Sequence, residues 1–363
     1  MKKHYNIPVF IPHAGCPFQC LYCNQNKIAA QNSAPHPEHL SYLIEPALQT
    51  IPADTEIEVA FFGGNFTSLP VNLQSEYLNA VADYLSSKRV AGIRISTRPD
   101  AISSPILDRL ALGGVTTIEL GVQSLHDEVL KASSRGYYAE DVFTACELIR
   151  QYNFKLGIQL MIGLPGSTNY HELYSTQKTI EINPDMVRIY PTLVIEDTGL
   201  HHMYLRNTYQ PLSLDEAVET VLQMFMLFES AHITVIRMGL HPGEELRQPG
   251  NIIAGPFHPA FGELVEQALY KQQAEPLLLW YKENGHASGK VKLYVNPRDI
   301  SKLVGNKRAN IFWWLSNYDL KVIPVGINQL SRNEIGVSAD DDNYPLKTIT
   351  REEFLSRINL EGQ

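Results

Sequence analysis

Phe10-Ile11-Pro12-His13-Ala14-Gly15-Cys16-Pro17-Phe18-Gln19-Cys20-Leu21-Tyr22-Cys23 gathers three of the chain's four cysteines within eight residues, spaced C-x3-C-x2-C. Three thiolates can hold three irons of a 4Fe-4S cube, a cluster normally held by four cysteines. The fourth iron is then open to another ligand. A structural zinc site needs four closed ligands, and His13 is the neighbouring candidate for the fourth. Disulfides suit small secreted scaffolds better than a long chain with one compact cysteine group. The spacing favours an iron–sulfur cluster over zinc or a redox thiol group.

The remaining composition bounds the setting. The chain has 363 residues, 44% hydrophobic and 19% charged, which is ordinary for one large or two smaller globular domains. No apolar run reaches the length of a membrane span. The basic start at Met1–His4 is followed by Pro8 and Pro12, so it does not read as a signal peptide. The expected compartment is the cytoplasm, where thiolates stay reduced. A formal net charge of −9 argues against a protein that coats nucleic acid generally, though it permits a local basic face.

Short runs rich in Val, Ile and Phe alternate with helix-length amphipathic segments over the first two-thirds of the chain. The candidate strands are Ile7–Pro12, Ile57–Phe62, Gly92–Ser96, Thr116–Gly121, Lys155–Ile162 and Met186–Pro191. The intervening helices fall near Pro37–Gln49, Leu73–Ser86, Pro105–Leu112, Glu140–Tyr152 and Tyr170–Ile182. Such alternation predicts parallel βα units, and six of them predict an α/β fold, a partial (β/α)6 TIM-like barrel. Strand C-terminal ends carry the chemistry in such barrels, and the cysteine loop follows the first strand.

The cysteine trio, with Tyr22 before the last Cys, resembles the hallmark of the radical S-adenosylmethionine (SAM) superfamily. The resemblance implies that SAM chelates the open iron and that reductive cleavage yields a 5′-deoxyadenosyl radical. It also implies an electron donor such as flavodoxin or ferredoxin. Gly63-Gly64-Asn65 resembles the family's GGE motif with Asn in place of the acid, and two glycines leave backbone open to a ligand. Ser96 stands where related enzymes carry an acid for the SAM ribose. Glu119-Leu120-Gly121-Val122-Gln123-Ser124 resembles a segment of oxygen-independent coproporphyrinogen oxidases and the Elongator catalytic subunit. Arg135 in Ser134-Arg135-Gly136 resembles the family arginine that pairs with the SAM carboxylate, and Gly163-Leu164-Pro165-Gly166 resembles the turn near adenine. The expected SAM contacts are therefore Gly63, Gly64, Gln123 and Arg135, with Cys16, Cys20 and Cys23 on the cluster. Glu119 and Tyr190 are candidates for a catalytic part, Glu119 being equally readable as a structural ion pair because a buried carboxylate needs a partner. Ile189-Tyr190-Pro191-Thr192-Leu193-Val194-Ile195 and Gly199-Leu200 bring the resemblance nearest to the Elongator catalytic-subunit group. That group's acetyltransferase domain, and acetyl-CoA chemistry with it, is not expected here.

Cys146 shares a helical stripe with Val142 and Ile149 and reads as core, which leaves no ligands for a second cluster. His201, His202, His241 and His258 follow no ligand pattern. Gly255–Glu263 reads as a cap before a helix at Glu263–Tyr270. Three parts are expected: the barrel over 1–235, a capping segment over 236–275 and a small α+β domain over 276–363. In the last, a strand at Lys290–Asn296, a helix, the break Gly305-Asn306-Lys307-Arg308, a second helix and a strand at Leu320–Val325 resemble a KH-type RNA-binding core. Arg308 stands where the second loop glycine of that signature belongs. Seven Lys or Arg between Ser288 and Ile323 face two Asp, a local +5 that leaves −14 for the rest. Such an island suits phosphate contact or a solvated face.

The leading expectation is a radical SAM enzyme that modifies RNA, with tRNA as the expected partner through the C-terminal basic segment. The rivals are radical chemistry on a small metabolite or porphyrin-like substrate, and a non-catalytic iron–sulfur protein that binds or senses RNA.

Overall fold

The computed structural model describes residues 4–11, 16, 19–24, 34–240, 248, 250–284, 289–340 and 342–361. His13 and His241 lie outside the described residues. The chain divides into two compact units, one of residues 1–214 with 233–259 and one of 215–232 with 260–363.

The first unit is built on a parallel sheet of β1 (His4–Phe10), β2 (Glu56–Phe62), β3 (Gly92–Thr97), β4 (Val115–Gln123), β5 (Lys155–Ile162) and β6 (Met186–Pro191), neighbours in chain order. Each is led to the next by helix: α1 (Ser41–Thr50), α2 (Val71–Ser86), α3 (Ser104–Leu112), α4 (Asp127–Ala132) with α5 (Ala139–Gln151), and α6 (Asn169–Ile182). The alternate residues Ile57, Val59 and Phe61 of β2 are buried, and Phe61 packs on Tyr77 of α2 with ring centroids 5.4 Å apart. Strands covered on both faces explain the near-continuous apolar runs.

A strand that periodicity did not reveal joins the sheet after a short antiparallel pair. Past β7 (Val194–Ile195), α7 (Gly199–Leu205) and α8 (Leu214–Ser230), β8 (Thr234–Met238) pairs parallel with β6. The sheet is a seven-stranded half-barrel. β8 is five residues long and half-exposed as an edge strand, so its Thr-Val-Ile-Arg-Met carries little apolar signal. β9 (Ile252–Ala254) pairs with β7.

The concave side of this sheet is charged. Arg94 of β3 donates to Glu58 of β2 and to Glu119 of β4, and Arg188 of β6 reaches over β5 to Glu119 with Nε–Oε2 2.6 Å. The register places Gly157 of β5 opposite Glu119. A Cβ on Gly157 would lie 2.8 Å from Glu119 Cγ, so glycine opens the gap through which the pair forms.

In the second unit α9 (Phe261–Glu283) runs through Pro276. The polar stretch Lys271–Glu275, just past the expected helix at Glu263–Tyr270, lies inside it. Gln273 there is buried and donates to the carbonyls of Asn333 and Ile349, so its polarity serves packing. A four-stranded sheet of β10 (Lys290–Val295), β11 (Lys321–Gly326), β12 (Glu334–Ala339) and β13 (Lys347–Thr350) runs in the order β11-β10-β12-β13. α10 (Ile300–Val304) and α11 (Ala309–Tyr318) connect β10 to its parallel neighbour β11, and α12 (Arg351–Glu361) ends the chain. Among the described residues no helix is long and apolar enough to cross a membrane.

Candidate metal centre

The cysteine loop is tied down at the C-terminal ends of β1 to β4. Cys23 N–H closes a turn onto Cys20 O, Leu21 N–H donates to Ser133 O, and Leu200 N–H donates to Leu21 O. Cys16, Cys20 and Cys23 are free thiols, each half-buried. Cys20 and Cys23 pack with Tyr190 against Tyr22, Val129, Met161, Val194 and Leu200. Burial and the neighbouring Cys20 and Cys16 push the Cys23 thiol up to about 12. Burial first, then Cys20, raises Cys16 against the pull of Arg98 and Arg135. Clustered thiols that resist ionising together give up their protons readily to a bound cationic centre.

Two guanidiniums stand over Cys20. Arg135, 5% exposed, donates from Nη1 to Cys20 Sγ at 3.0 Å and to Tyr22 OH at 3.1 Å. Its Nε and Nη2 donate to Tyr137 OH, and Nη2 also reaches Gly121 O. Tyr137 OH in turn donates to the carbonyls of Gly121 and Val122. Burial pushes the Tyr22 and Tyr137 phenols up, so both stay protonated. Arg98 forms a bidentate pair with Asp100, donates to Arg135 O and holds Nη1 3.9 Å from Cys20 Sγ.

The glycine pair and Gln123 stand around the same strand ends. Gly63 takes φ +97° against Ile11, and Gly64 lines a crevice with Ser96 and Phe62. Asn65, in the place of the expected acid, is 0% exposed. Its Oδ1 accepts from the Thr97 hydroxyl and Arg98 N–H, and its Nδ2 donates to Ser68. It clasps the ends of β2 and β3 together. Gln123 ends β4 at φ +71°, where the β4–β5 register slips. Bulges and left-handed non-glycine residues concentrate at functional sites. Its Oε1 accepts from Gln159 Nε2 at 3.1 Å. Gln123 and Arg135 flank Gly121.

Glu119 is engaged by Arg94 and Arg188, and the Tyr190 hydroxyl lies 3.5 Å from Arg188 Nη1. His201 and His202 lie on α7 with ring centroids 6.1 Å apart. Cys146 is buried on α5, its thiol pushed up to about 12 by that burial. Sequence reasoning passed over Arg98, Tyr137 and Glu172. Arg98 was legible beside Asp100 in Ser-Thr-Arg-Pro-Asp, whereas Tyr137 gives no sign of its hydrogen bonds until the turn brings its hydroxyl under Arg135.

Residues 10–180 match the sequence family described as the Radical SAM superfamily, and residues 184–271 match the Radical SAM C-terminal domain. The chain belongs to the radical SAM superfamily of enzymes. It is 31% identical over 189 residues to the tRNA uridine(34) acetyltransferase of Methanocaldococcus infernus, covering 46% of this chain and 35% of that protein. It is 28% identical over 211 residues to the heme chaperone HemW of Bacillus subtilis, covering 56% and 53%. The solved archaeal Elp3 of Methanocaldococcus infernus, with an N-terminal deletion, shares the fold at a TM-score of 0.57 and 24% identity, over 75% of this chain and 64% of that one. The chain spans about a third to a half of the length of its first curated relatives, 35%, 34% and 50%. Membership in the radical SAM superfamily implies a 4Fe-4S cluster and SAM. The soft thiol set and the buried cations beside it fit an anionic iron–sulfur group.

Proposed function

We propose that this chain is a radical SAM enzyme acting on RNA, with tRNA as the first candidate. The observation that carries the chemistry is a loop of three free thiols at the strand ends, with two guanidiniums directed at the Cys20 sulfur. Cys16, Cys20 and Cys23 would hold the 4Fe-4S cluster. When bound and reduced, the cluster would supply the electron for reductive cleavage of SAM. An electron-transfer protein such as flavodoxin or ferredoxin is the matching reductant.

The chain's own residues do the rest. Gly63 and Gly64 leave backbone open for the methionyl end of SAM, and Gln123, in left-handed backbone, offers an amide at the end of β4. The packing of Cys20 and Cys23 against Met161, Val194 and Leu200 gives one side of the sulfurs an apolar wall. Tyr190 and Arg188 face the concave side below, where Tyr190 is the polar group best set to meet substrate, while Glu119 holds Arg188 in place.

Relatives bearing the name tRNA uridine(34) acetyltransferase support the RNA reading. The second unit adds to it. Of its basic island, Lys290 faces Asp340, Lys292 donates to Asp342 O and Lys302 faces Glu266. Lys307 (φ 49°) and Arg308 (φ 64°), in left-handed backbone and exposed, have no side-chain partner among the described residues. Behind them Asn310 Nδ2 donates to the carbonyls of Lys302, Leu303 and Gln267, and Asn306 N–H donates to Gln267 Oε1. Phe312, 57% exposed, lies in the first turn of α11, four residues past Arg308. A pinned loop with two unpaired cations beside an exposed ring suits phosphate and base.

Anaerobic reconstitution with iron and sulfide, then reduction in the presence of SAM, should release 5′-deoxyadenosine; a reduced cluster that never does so sinks the enzyme reading. Mass spectrometry of tRNA nucleosides from wild-type and deletion cells tests the substrate. An unchanged nucleoside profile with an accumulating metabolite would move the chemistry to a small substrate.

A further inference from the structure

Away from the cysteines, His126, Glu128 and His171 each offer one ligand atom within 4.8 Å of the other two. The backbone fixes how they meet. Leu125 N–H donates to Ser175 Oγ of α6 at 3.0 Å, and His126 N–H donates to Ser124 Oγ at 3.2 Å, so the entry to α4 is tied to α6. Glu128 follows in the first turn of α4. His171 stands in the first turn of α6, where its Nδ1 meets Thr168 N–H at 3.1 Å and Thr168 Oγ1 at 3.0 Å. The two imidazoles meet edge to face with ring centroids 4.2 Å apart, and Tyr174 stands edge-on to His126 at 5.7 Å.

What these side chains lack is a partner. Neither ring nitrogen of His126 makes a hydrogen bond among the described residues, and its Nδ1 is buried. A polar atom closed to water and left unpaired is costly. The Glu128 carboxylate has no hydrogen bond or ion pair among the described residues; it is exposed, so its side chain can close on the two rings. The helix cap engages Nδ1 of His171 and leaves Nε2 for a ligand. Burial, then His126, holds the His171 imidazolium below its ordinary range against the pull of Glu128, and a neutral imidazole is the form that binds metal.

We propose that His126, Glu128 and His171 bind a divalent transition-metal ion of the zinc class, with water as the fourth ligand. Two imidazoles and a carboxylate suit zinc and leave one position open. On binding, His171 Nδ1 carries the proton and donates it to Thr168 Oγ1, the kind of contact that orients a ligating ring, while the exposed Thr168 N–H turns to water. The ion would staple α4 to α6. At the end of α4, Ser133 O holds the cysteine loop at Leu21, and Glu172, beside His171, holds the turn at Gly163. The staple thus braces two supports of the strand ends, with ligands distinct from the cysteines.

The test uses the full chain with its cluster reconstituted anaerobically, so that the thiol loop is occupied, and Zn²⁺ alone as the probe. Equilibrium dialysis should show one zinc per chain above background, with the iron content unchanged. His126→Gln and His171→Gln should each weaken zinc binding by at least the roughly tenfold that loss of a supporting contact costs, and Glu128→Gln should weaken it as well. X-ray absorption at the zinc edge should show nitrogen and oxygen ligands at about 2.0–2.1 Å. A sulfur shell at about 2.3 Å would put the zinc on cysteines and overturn the proposal. Zinc uptake by the wild type no greater than by the histidine variants would do the same, the mark of an adventitious ion only. If the histidine variants fail to fold, Glu128→Gln carries the test, because this exposed, unpaired carboxylate can be replaced without disturbing the core; unchanged zinc affinity there overturns the proposal.

Discussion

Glu172 sits out of reach of water under the Gly163–Gly166 turn, accepting from Gly163 N–H at 2.8 Å and from the Ser167 hydroxyl. Burial, only partly offset by those two bonds, raises its carboxyl to about 7. Its sign follows from linkage: between the ordinary carboxyl range and about 7 the folded chain keeps a proton that the unfolded chain releases. Stability therefore falls as pH rises through that window, by on the order of 3 kcal/mol, and levels off above it. Glu172→Gln keeps an acceptor for Gly163 and should flatten this part of the profile. Melting temperatures of both proteins between pH 5 and pH 8 check it, and equal slopes would count against the assignment. Residues of this kind are hard to read in advance. The glycine-rich turn was legible from its spacing, but its support comes nine residues later, from a carboxylate that looks like any surface Glu on a helix.

At the scale of elements, alternation of apolar runs located six of the barrel strands, because strands buried on both faces advertise themselves. Edge strand β8 escaped for want of a strong period, and α9 was read only as a helix at Glu263–Tyr270 because its polar stretch, Gln273 included, is spent on packing. The turn between α10 and α11 was legible as a break at Gly305, yet its two left-handed residues and the Asn310 clasp emerge only from the folded geometry. That loop makes a second prediction. Lys307→Glu with Arg308→Glu should weaken tRNA binding and reduce the slope of log affinity against log salt by about 1.4, two single-strand phosphate contacts' worth. Lys88→Glu, an exposed charge on the other unit, should leave the slope unchanged. Equal slopes for wild type and the loop variant would remove the loop as an RNA contact.

Across the whole molecule, the four cysteines divide by setting. Cys16, Cys20 and Cys23 are half-buried at strand ends, and Cys146 is sealed in the barrel core. Reconstituted Cys20→Ala should retain little iron, and Cys146→Ala should carry the wild-type amount; iron analysis of the two distinguishes them. A Cys146 variant that lost its iron would assign that thiol to the centre instead. The concave face of the sheet supplies a further test. Glu58, Glu119, Arg94 and Arg188 form one neutral group. Glu119→Leu alone strands Arg188, takes one of the two carboxylates from Arg94 and should cost about 3–5 kcal/mol. Adding Arg188→Met should return part of that, so the urea midpoints of the two singles and the double should be clearly non-additive. Midpoints that simply add would mean that the two side chains act independently.

That coupling also constrains how the protein can change over time. A lineage that loses Glu119 passes through a poorly folding ancestor unless an arginine departs with it. The side chain at 157 is bound to the same bargain, since anything larger than glycine closes the gap between the two. The barrel floor is thus inherited as a block, and its positions should drift in step while the surface around them drifts freely.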